Sequence, residues 1–111
     1  MEKEFRRLRK ISFKAPDGGV VEIGMFFPVT SGWAVGLKGA QNLEGDEGFF
    51  LAVSIAERTT QTIARVFDDE VEFWDVVMII DDEEKATELG HDNDQLSIYQ
   101  IETGRLKWLV D

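Results

Sequence analysis

The residues best suited to chemistry in this chain are carboxylates, and they are concentrated between Asp68 and Asp94. This stretch carries twelve acidic side chains against one basic side chain, Lys85. Clustered carboxylates can hold a calcium or magnesium ion, can act as an acid and base pair, or can form a surface that attracts a basic protein. The spacing of the neighbouring residues has to decide among these chemistries.

Metal binding has weak support in that spacing. Asp92 and Asp94, with the carboxylates at 81–84, could gather oxygen ligands. The pattern of a calcium-binding loop nevertheless fails after Asp94, because the residues that follow do not supply the required Asp or Asn followed by Gly. A small metal-dependent enzyme that uses acidic residues is therefore kept only as an alternative function.

Other catalytic machinery is scarce. His91 is the only histidine, cysteine is absent, and the Gly-x-Ser-x-Gly pattern of a nucleophile elbow does not occur. Gly32, Gly36 and Gly39 match neither a phosphate-binding loop nor a dinucleotide-binding pattern. The sequence thus predicts a protein that is not an enzyme and uses no cofactor.

The net charge of −10 is distributed unevenly along the chain. Residues 1–15 have a local net charge of +4, whereas residues 44–94 have one of −13. An acidic protein repels a phosphate backbone, so nucleic-acid binding is not expected. No apolar run approaches the length of a membrane span or forms a secretory signal, and we expect a cytoplasmic protein with no membrane contact. The basic segment 1–15 either pairs internally with the acidic residues or forms a separate site for an anionic partner.

One long amphipathic helix is predicted over Asp46–Phe67, because its apolar residues fall on one side when placed at 100° per residue. Asp46 is the expected N-cap, and three carboxylates at 68–70 would oppose the helix dipole and end the helix there. An alternative takes Phe49–Ile55 as a strand, since apolar residues also alternate in it. We prefer the helix because its apolar face continues as far as Phe67.

Short strands are predicted on both sides of this helix. The predicted strands are Phe5–Ala15, Val20–Phe27, Trp33–Leu37, Val71–Ile80, Leu96–Ile101 and Arg105–Val110. A turn is expected at Pro16–Gly19, an antiparallel meander over the first three strands, and a hairpin with Gly104 in its loop. Strand Val71–Ile80, which ends in a β-branched apolar run, is expected at the centre of the sheet.

Two further expectations concern the last third of the chain. A short helix is predicted to begin at Asp81 as N-cap and to end before Gly90, with 91–94 as a loop. In the final strand, Leu106, Trp108 and Val110 are expected to form the buried face. The fold class is thus α+β, a single domain over 1–111 in the order β-β-β-α-β-(α)-β-β, with the long helix on one face of a mostly antiparallel sheet.

The expected function is non-enzymatic: an acidic surface that neutralises or sequesters a basic protein partner, as an immunity or antitoxin-type inhibitor does for a toxin such as a nuclease. The expected partner-binding residues are Asp68, Asp69, Glu70, Glu72, Trp74, Asp75, Asp81, Asp82, Glu83 and Glu84. Trp74 is either buried among apolar neighbours or exposed as an anchor within the charged rim. The alternative is a structural module that forms a homodimer through hairpin 96–110 or strand 71–80.

Overall fold

The computed structural model describes residues 18–24 and 27–110 of the chain. In chain order the elements are β1 (Gly18–Glu22), β2 (Phe27–Pro28), β3 (Trp33–Gly36), β4 (Leu43–Glu44), α1 (Gly45–Glu57), β5 (Thr62–Asp68), β6 (Val71–Ile80), α2 (Glu83–Asp92), β7 (Ser97–Gln100) and β8 (Arg105–Trp108). The predicted strand at 5–15 and the beginning of the predicted turn at Pro16 lie outside the described residues. The α+β class is confirmed, with an antiparallel sheet that carries a helix on one face.

The strands form one antiparallel sheet in the order β2-β1-β5-β6-β3-β7-β8, with β4 also paired to β6. The central position predicted for β6 is confirmed. One edge of β6 pairs with β5 from Ile63↔Val76 to Asp68↔Val71, while the other pairs with β3 and β4. Ten residues of strand are therefore needed at this position, because three shorter strands depend on β6 for their hydrogen bonds.

Within the described residues, the sheet has one face covered by α1 and α2 and one face on which no described helix packs; we call these the helix face and the open face. Successive side chains of a strand point to opposite faces. In β6, Trp74 and Val76 pack under α1, and Met78 packs under α2. Val77, two residues from Asp75, lies on the open face in a smaller apolar cluster with Val20 and Ala34.

Helix α1 supplies the larger core. Phe49, Ala52, Val53 and Ala56 are buried against the sheet, and the ring of Phe49 meets that of Trp74 edge-on with centroids 4.7 Å apart. These four positions follow the i, i+3, i+4, i+7 spacing of one helix face. The alternative strand at 49–55 is therefore wrong.

The predicted helix is nevertheless too long. α1 ends at Glu57, and the last six residues of the predicted helix, from Thr62, belong to strand β5. Backbone N–H groups of Thr59 and Gln61 both donate to the carbonyl of Ala56, and Gln61 turns the chain with φ of +67°. Thr59, Thr60 and Thr62 have low helix propensity, which permits this exit. At the other end, the N-cap is Glu44 and not Asp46, which lies in the first turn.

The carboxylates at 68–70 close a hairpin and do not end a helix. Asp68 pairs with Val71, and the two residues between them have φ values of +48° and +67°. Positive φ at both central positions is the geometry of a type I′ turn, whose twist matches that of the flanking strands. The acidic run therefore lies at the tip of the β5–β6 hairpin.

The predicted strand over residues 20–27 is two strands. β1 ends at Glu22, whose carboxylate accepts a hydrogen bond from the Gly24 N–H at 2.7 Å, and β2 returns antiparallel to β1. The expected meander is also wrong, because β3 lies between β6 and β7 and has no pairing with β2 in the described part of the sheet. Long-range pairing to β6 outweighs the proximity of β2 and β3 in sequence.

Helix α2 covers the second core, built on Trp33, Val35, Ala86 and Ile98. Its N-cap is Asp82, one residue after the predicted Asp81, and the Asp82 carboxylate accepts from the N–H groups of Glu84 and Lys85. The helix also includes the first two residues of the loop predicted at 91–94, because it ends at Asp92.

Gly90 lies inside α2 and not past its end. Leu109 and Ile98 pack where a Cβ at this position would stand. The close approach of helix and strand thus requires glycine at a position where sequence rules predict a stop signal.

The hairpin of β7 and β8 is confirmed, with Gly104 at φ of +75°, but the buried face of β8 is the opposite of the predicted one. Leu106 and Trp108 are exposed, at 50% and 65%. Leu109 packs on the α2 core, and the Lys107 ammonium reaches Glu83 on α2 at 3.0 Å. Lys107 thus faces α2, because its ammonium pairs there with the Glu83 carboxylate.

Paired substitutions in α1 test this arrangement. Phe49 is 1% exposed and Leu51 is 49% exposed. We expect Phe49→Ala to lower the free energy of unfolding by about 3–5 kcal/mol, and Leu51→Ala to lower it by less than about 1 kcal/mol. Urea denaturation of both variants measures this. A strand would place residues 49 and 51 on the same face, so losses of similar size would contradict the helix.

Candidate functional site

The structure separates the predicted partner-binding residues into two groups at the ends of β6. Asp68, Asp69 and Glu70 are exposed at the β5–β6 turn, whereas residues 81–84 follow the other end of β6. A strand rises about 3.3 Å per residue, so the ten residues of β6 hold the two groups roughly 30 Å apart. They are therefore two acidic ends joined by β6 and do not form one continuous cluster.

Several of these carboxylates have structural partners. Glu72 lies 3.7 Å from the Nε of Arg65. Asp82 caps α2, and Glu83 pairs with Arg105 and Lys107 of β8 at 3.3 and 3.0 Å. The ion pairs of Glu83 fix the contact between α2 and β8. Asp81 and Glu84 are the exposed carboxylates of this end without such a role in the described structure.

Trp74 is not an exposed anchor. Its side chain is 0% exposed, in the core beneath α1. The cause is its position in β6, where an even-numbered residue points to the helix face beside Val76. Trp74 therefore contributes to stability, and an aromatic contact with a partner has to come from other residues.

Asp75, another of the predicted partner-binding residues, lies on the open face between the two acidic ends of β6. It pairs across the sheet with Ala64, next to apolar Val77, and is only half-exposed. One carboxylate oxygen accepts a hydrogen bond from the backbone N–H of Asn42 at 2.7 Å. Burial raises the pKa of Asp75 above its usual value, and the hydrogen bond from Asn42 opposes part of that increase.

A cavity of about 570 Å³ lies on the open face and includes Asp75 in its wall. Its apolar lining comes from both wings of the sheet, with Val20 and Ala64 on one side and Ile101 and Leu106 on the other. These strands are several positions apart in the sheet order, so the sheet must curve around the cavity. The open face is thus concave at Asp75.

A pair of glutamine amides adds polar groups to this cavity. Gln41 donates from Nε2 to the Oε1 of Gln95, whose own Nε2 donates to the Asn93 carbonyl at 2.8 Å. Both side chains pass directly over Gly36, where any Cβ would collide with them. Glycine at position 36 thus makes room for the amide pair beside the wall of the cavity.

Sequence reasoning did not identify Gln41, Gln95, Ser97 and Tyr99, which line the cavity together with Asp75. Gln95, Ser97 and Tyr99 alternate within one segment, whereas Gln41 and Asp75 come from two others, and no local spacing links these three segments. The one available signal was in β6, where Asp75 is the only charged residue among the odd positions from Val71 to Ile79. A lone charge on an otherwise apolar face of a central strand marks a special environment.

Three findings bound the chemistry of the described residues. No group of three or more His, Asp or Glu side chains among them is arranged to hold a metal ion. None of the helices in residues 18–24 and 27–110 has the length and apolar character needed to cross a membrane. Comparison of the chain with protein-family models, with curated proteins and with solved structures finds no match.

The raised pKa of Asp75 leads to a prediction about stability. Because its pKa is higher in the folded than in the unfolded chain, the folded state loses stability as the pH rises through this range. Asp75→Asn keeps the acceptor for Asn42 and removes the buried charge. We expect it to raise the free energy of unfolding at pH 7, with the gain shrinking as the pH falls toward the unfolded pKa. Urea denaturation as a function of pH measures this.

Asp68→Asn, at the exposed turn, is the matched control and should change stability by less than about 0.5 kcal/mol. If Asp75→Asn instead destabilises the protein at pH 7, the ionised carboxylate must make a favourable interaction in the free protein.

Proposed function

We propose that this chain is a non-enzymatic acidic binding protein that sequesters a basic protein partner on its open face. The observation that carries the proposal is the line of carboxylates along β6, with exposed groups at both ends and Asp75 in the concave middle. A cytoplasmic immunity or antitoxin-type inhibitor of a toxin, such as a nuclease with a basic active site, would have these properties.

Charge and apolar exposure both support this proposal. The net charge of −10 would speed encounter with a basic partner. The open face also exposes apolar side chains that a partner could bury, among them Val66 at 43%, Tyr99 at 38% and Leu106 at 50%. Apolar anchors within a charged rim are the usual anatomy of a specific interface.

A charge-neutralised variant tests the role of the acidic ends. The triple variant Asp68→Asn, Asp69→Asn, Glu70→Gln removes three charges from the β5–β6 turn. After capture of a basic protein from source-cell lysate at about 50 mM salt, we expect this variant to bind it roughly tenfold more slowly, since steering depends on nearby charge. Surface plasmon resonance of the purified pair measures the rate.

The matched control removes three exposed charges from the two helices, on the other side of the sheet, through Glu47→Gln, Glu57→Gln and Glu88→Gln. This control should retain most of the wild-type rate. If both variants lose the same fraction of the association rate, the effect comes from net charge and not from the acidic turn. If binding of the basic protein does not change with salt, the proposal is contradicted.

A second candidate function is homodimerisation through the edge strand β8, and a specific feature favours it. Natural edge strands are usually protected by lysine or other charges. Here Lys107 points to α2, where it pairs with Glu83 and also donates to Thr87 at 2.9 Å. Leu106 and Trp108 are left exposed beside the edge of β8, which has no partner strand among residues 18–24 and 27–110. Two copies could pair their β8 edges antiparallel across a twofold axis.

This candidate predicts a reversible dimer that a single charge abolishes. Wild-type protein should sediment as a dimer at about 100 µM, and Trp108→Lys as a monomer, because the interface would bury an unpaired charge. The control Leu51→Lys, on the exposed side of α1, should leave the dimer intact. Monomeric wild-type protein at this concentration would exclude the dimer.

A further inference from the structure

The cavity on the open face has the size and composition of a binding site. Its volume of about 570 Å³ falls within the range of roughly 300–1,000 Å³ that is typical of ligand pockets. Most of its wall is apolar, including Val20, Ala64 and Val77, and its few polar groups include Asp75, Gln41 and Gln95. This is the usual combination of an apolar body for affinity and a small polar set for orientation.

Asp75 gives this cavity a negative charge that the described residues do not neutralise. Its single polar contact among them is the Asn42 N–H, which engages one carboxylate oxygen. Arg65 also contributes to the lining, but its side chain lies over the Phe67 ring at 4.5 Å and close to Glu72. Arg65 pairs across the sheet with Trp74, which places its guanidinium on the helix face, away from Asp75.

The amide pair adds an acceptor next to this charge. The amide of Gln41 donates from Nε2 to Gln95 Oε1, and the amide of Gln95 donates from Nε2 to the Asn93 carbonyl. The described residues provide no donor to the carbonyl oxygen of Gln41. The polar part of the cavity is therefore rich in acceptors, and Tyr99 places an aromatic ring in the same wall. Acceptors, a carboxylate and an aromatic ring together suit a cation that donates several hydrogen bonds.

We infer that the cavity receives an arginine side chain of the basic protein partner, with its guanidinium on Asp75. This inference rests on the proposed function and adds the residue that the partner inserts. Arginine fits better than lysine because its planar group carries five donors, which can reach the carboxylate and the Gln41 carbonyl together. A guanidinium is also more weakly hydrated, so its transfer into a partly apolar cavity costs less. Its methylene stem would contact Val20 and Ala64.

A peptide pair tests this directly on the full chain. The probes are acetyl-Leu-Arg-Leu-amide and the same peptide with citrulline, which has the shape of arginine without its charge. Titration followed by backbone amide NMR should shift the signals of Asn42, Asp75 and Gln95 with the arginine peptide. The citrulline peptide should bind at least roughly tenfold more weakly, as expected for loss of a charge-assisted hydrogen bond.

Asp75→Asn and Glu88→Gln, the latter at an exposed position of α2 on the helix face, form the matched variants, since each removes one carboxylate charge. We expect Asp75→Asn to weaken binding of the arginine peptide roughly ten- to a hundredfold, and Glu88→Gln to weaken it less than about twofold. Thermal denaturation verifies that both variants fold. Equal weakening, equal binding of the two peptides, or shifts confined to the β5–β6 turn would overturn the inference.

The outcomes separate this inference from the proposed function. If a basic partner binds with strong salt dependence but Asp75→Asn does not change its affinity, the arginine site is wrong and the acidic binding function stands. If the arginine peptide binds as expected but no basic protein is captured, the site stands and the proposed function is wrong.

Discussion

Strand β6 holds the rest of the structure together, because its two rows of side chains serve different faces. The even positions, with Trp74 and Val76 among them, are packed under the helices and supply the buried area that stabilises the fold. Of the odd positions, Asp75 and Val77 line the concave cavity, and Asp75 supplies its carboxylate. Since a strand alternates strictly, a shift of one residue in register would bury Asp75 and expose Trp74. The core therefore fixes the place of the carboxylate on the open face.

Elements with one consistent signal could be predicted from the sequence. The boundary between helix α1 and strand β5, inside residues 46–67, could not. The β-branched run at the end of β6 has no competing interpretation, and its bounds are as predicted. In the long predicted helix, however, Ile63 and Phe67 fall on the same side of a helical wheel as Phe49. The chain leaves the helix because Ile63 gains a place in the sheet opposite Val76. That gain depends on a partner strand downstream, which a local pattern does not contain.

The candidate site shows the same limit. Asp75 was identified as part of an acidic block, but its separation from the exposed turn carboxylates follows from strand geometry and burial. Gln41 and Gln95 come together only through the fold, over a glycine whose role is invisible without them. The sequence also does not show which face of β8 is buried. Its alternation defines two faces but does not distinguish the buried one from the exposed one. The choice depends on Glu83 of α2, which holds Lys107.

Two features of the open face work against the stability of the free protein, and they support the proposal that this face binds a partner. A half-buried carboxylate whose pKa is raised by burial costs folding free energy, and exposed residues such as Leu106 and Trp108 leave apolar area in water. The acidic turn carries no such cost, because exposed carboxylates in a type I′ turn are well hydrated. Local departures from stable design are expected where a surface is kept for binding. A partner that brings both a cation and apolar area would relieve both costs, which supports the proposal that the cavity and the exposed edge belong to one interface.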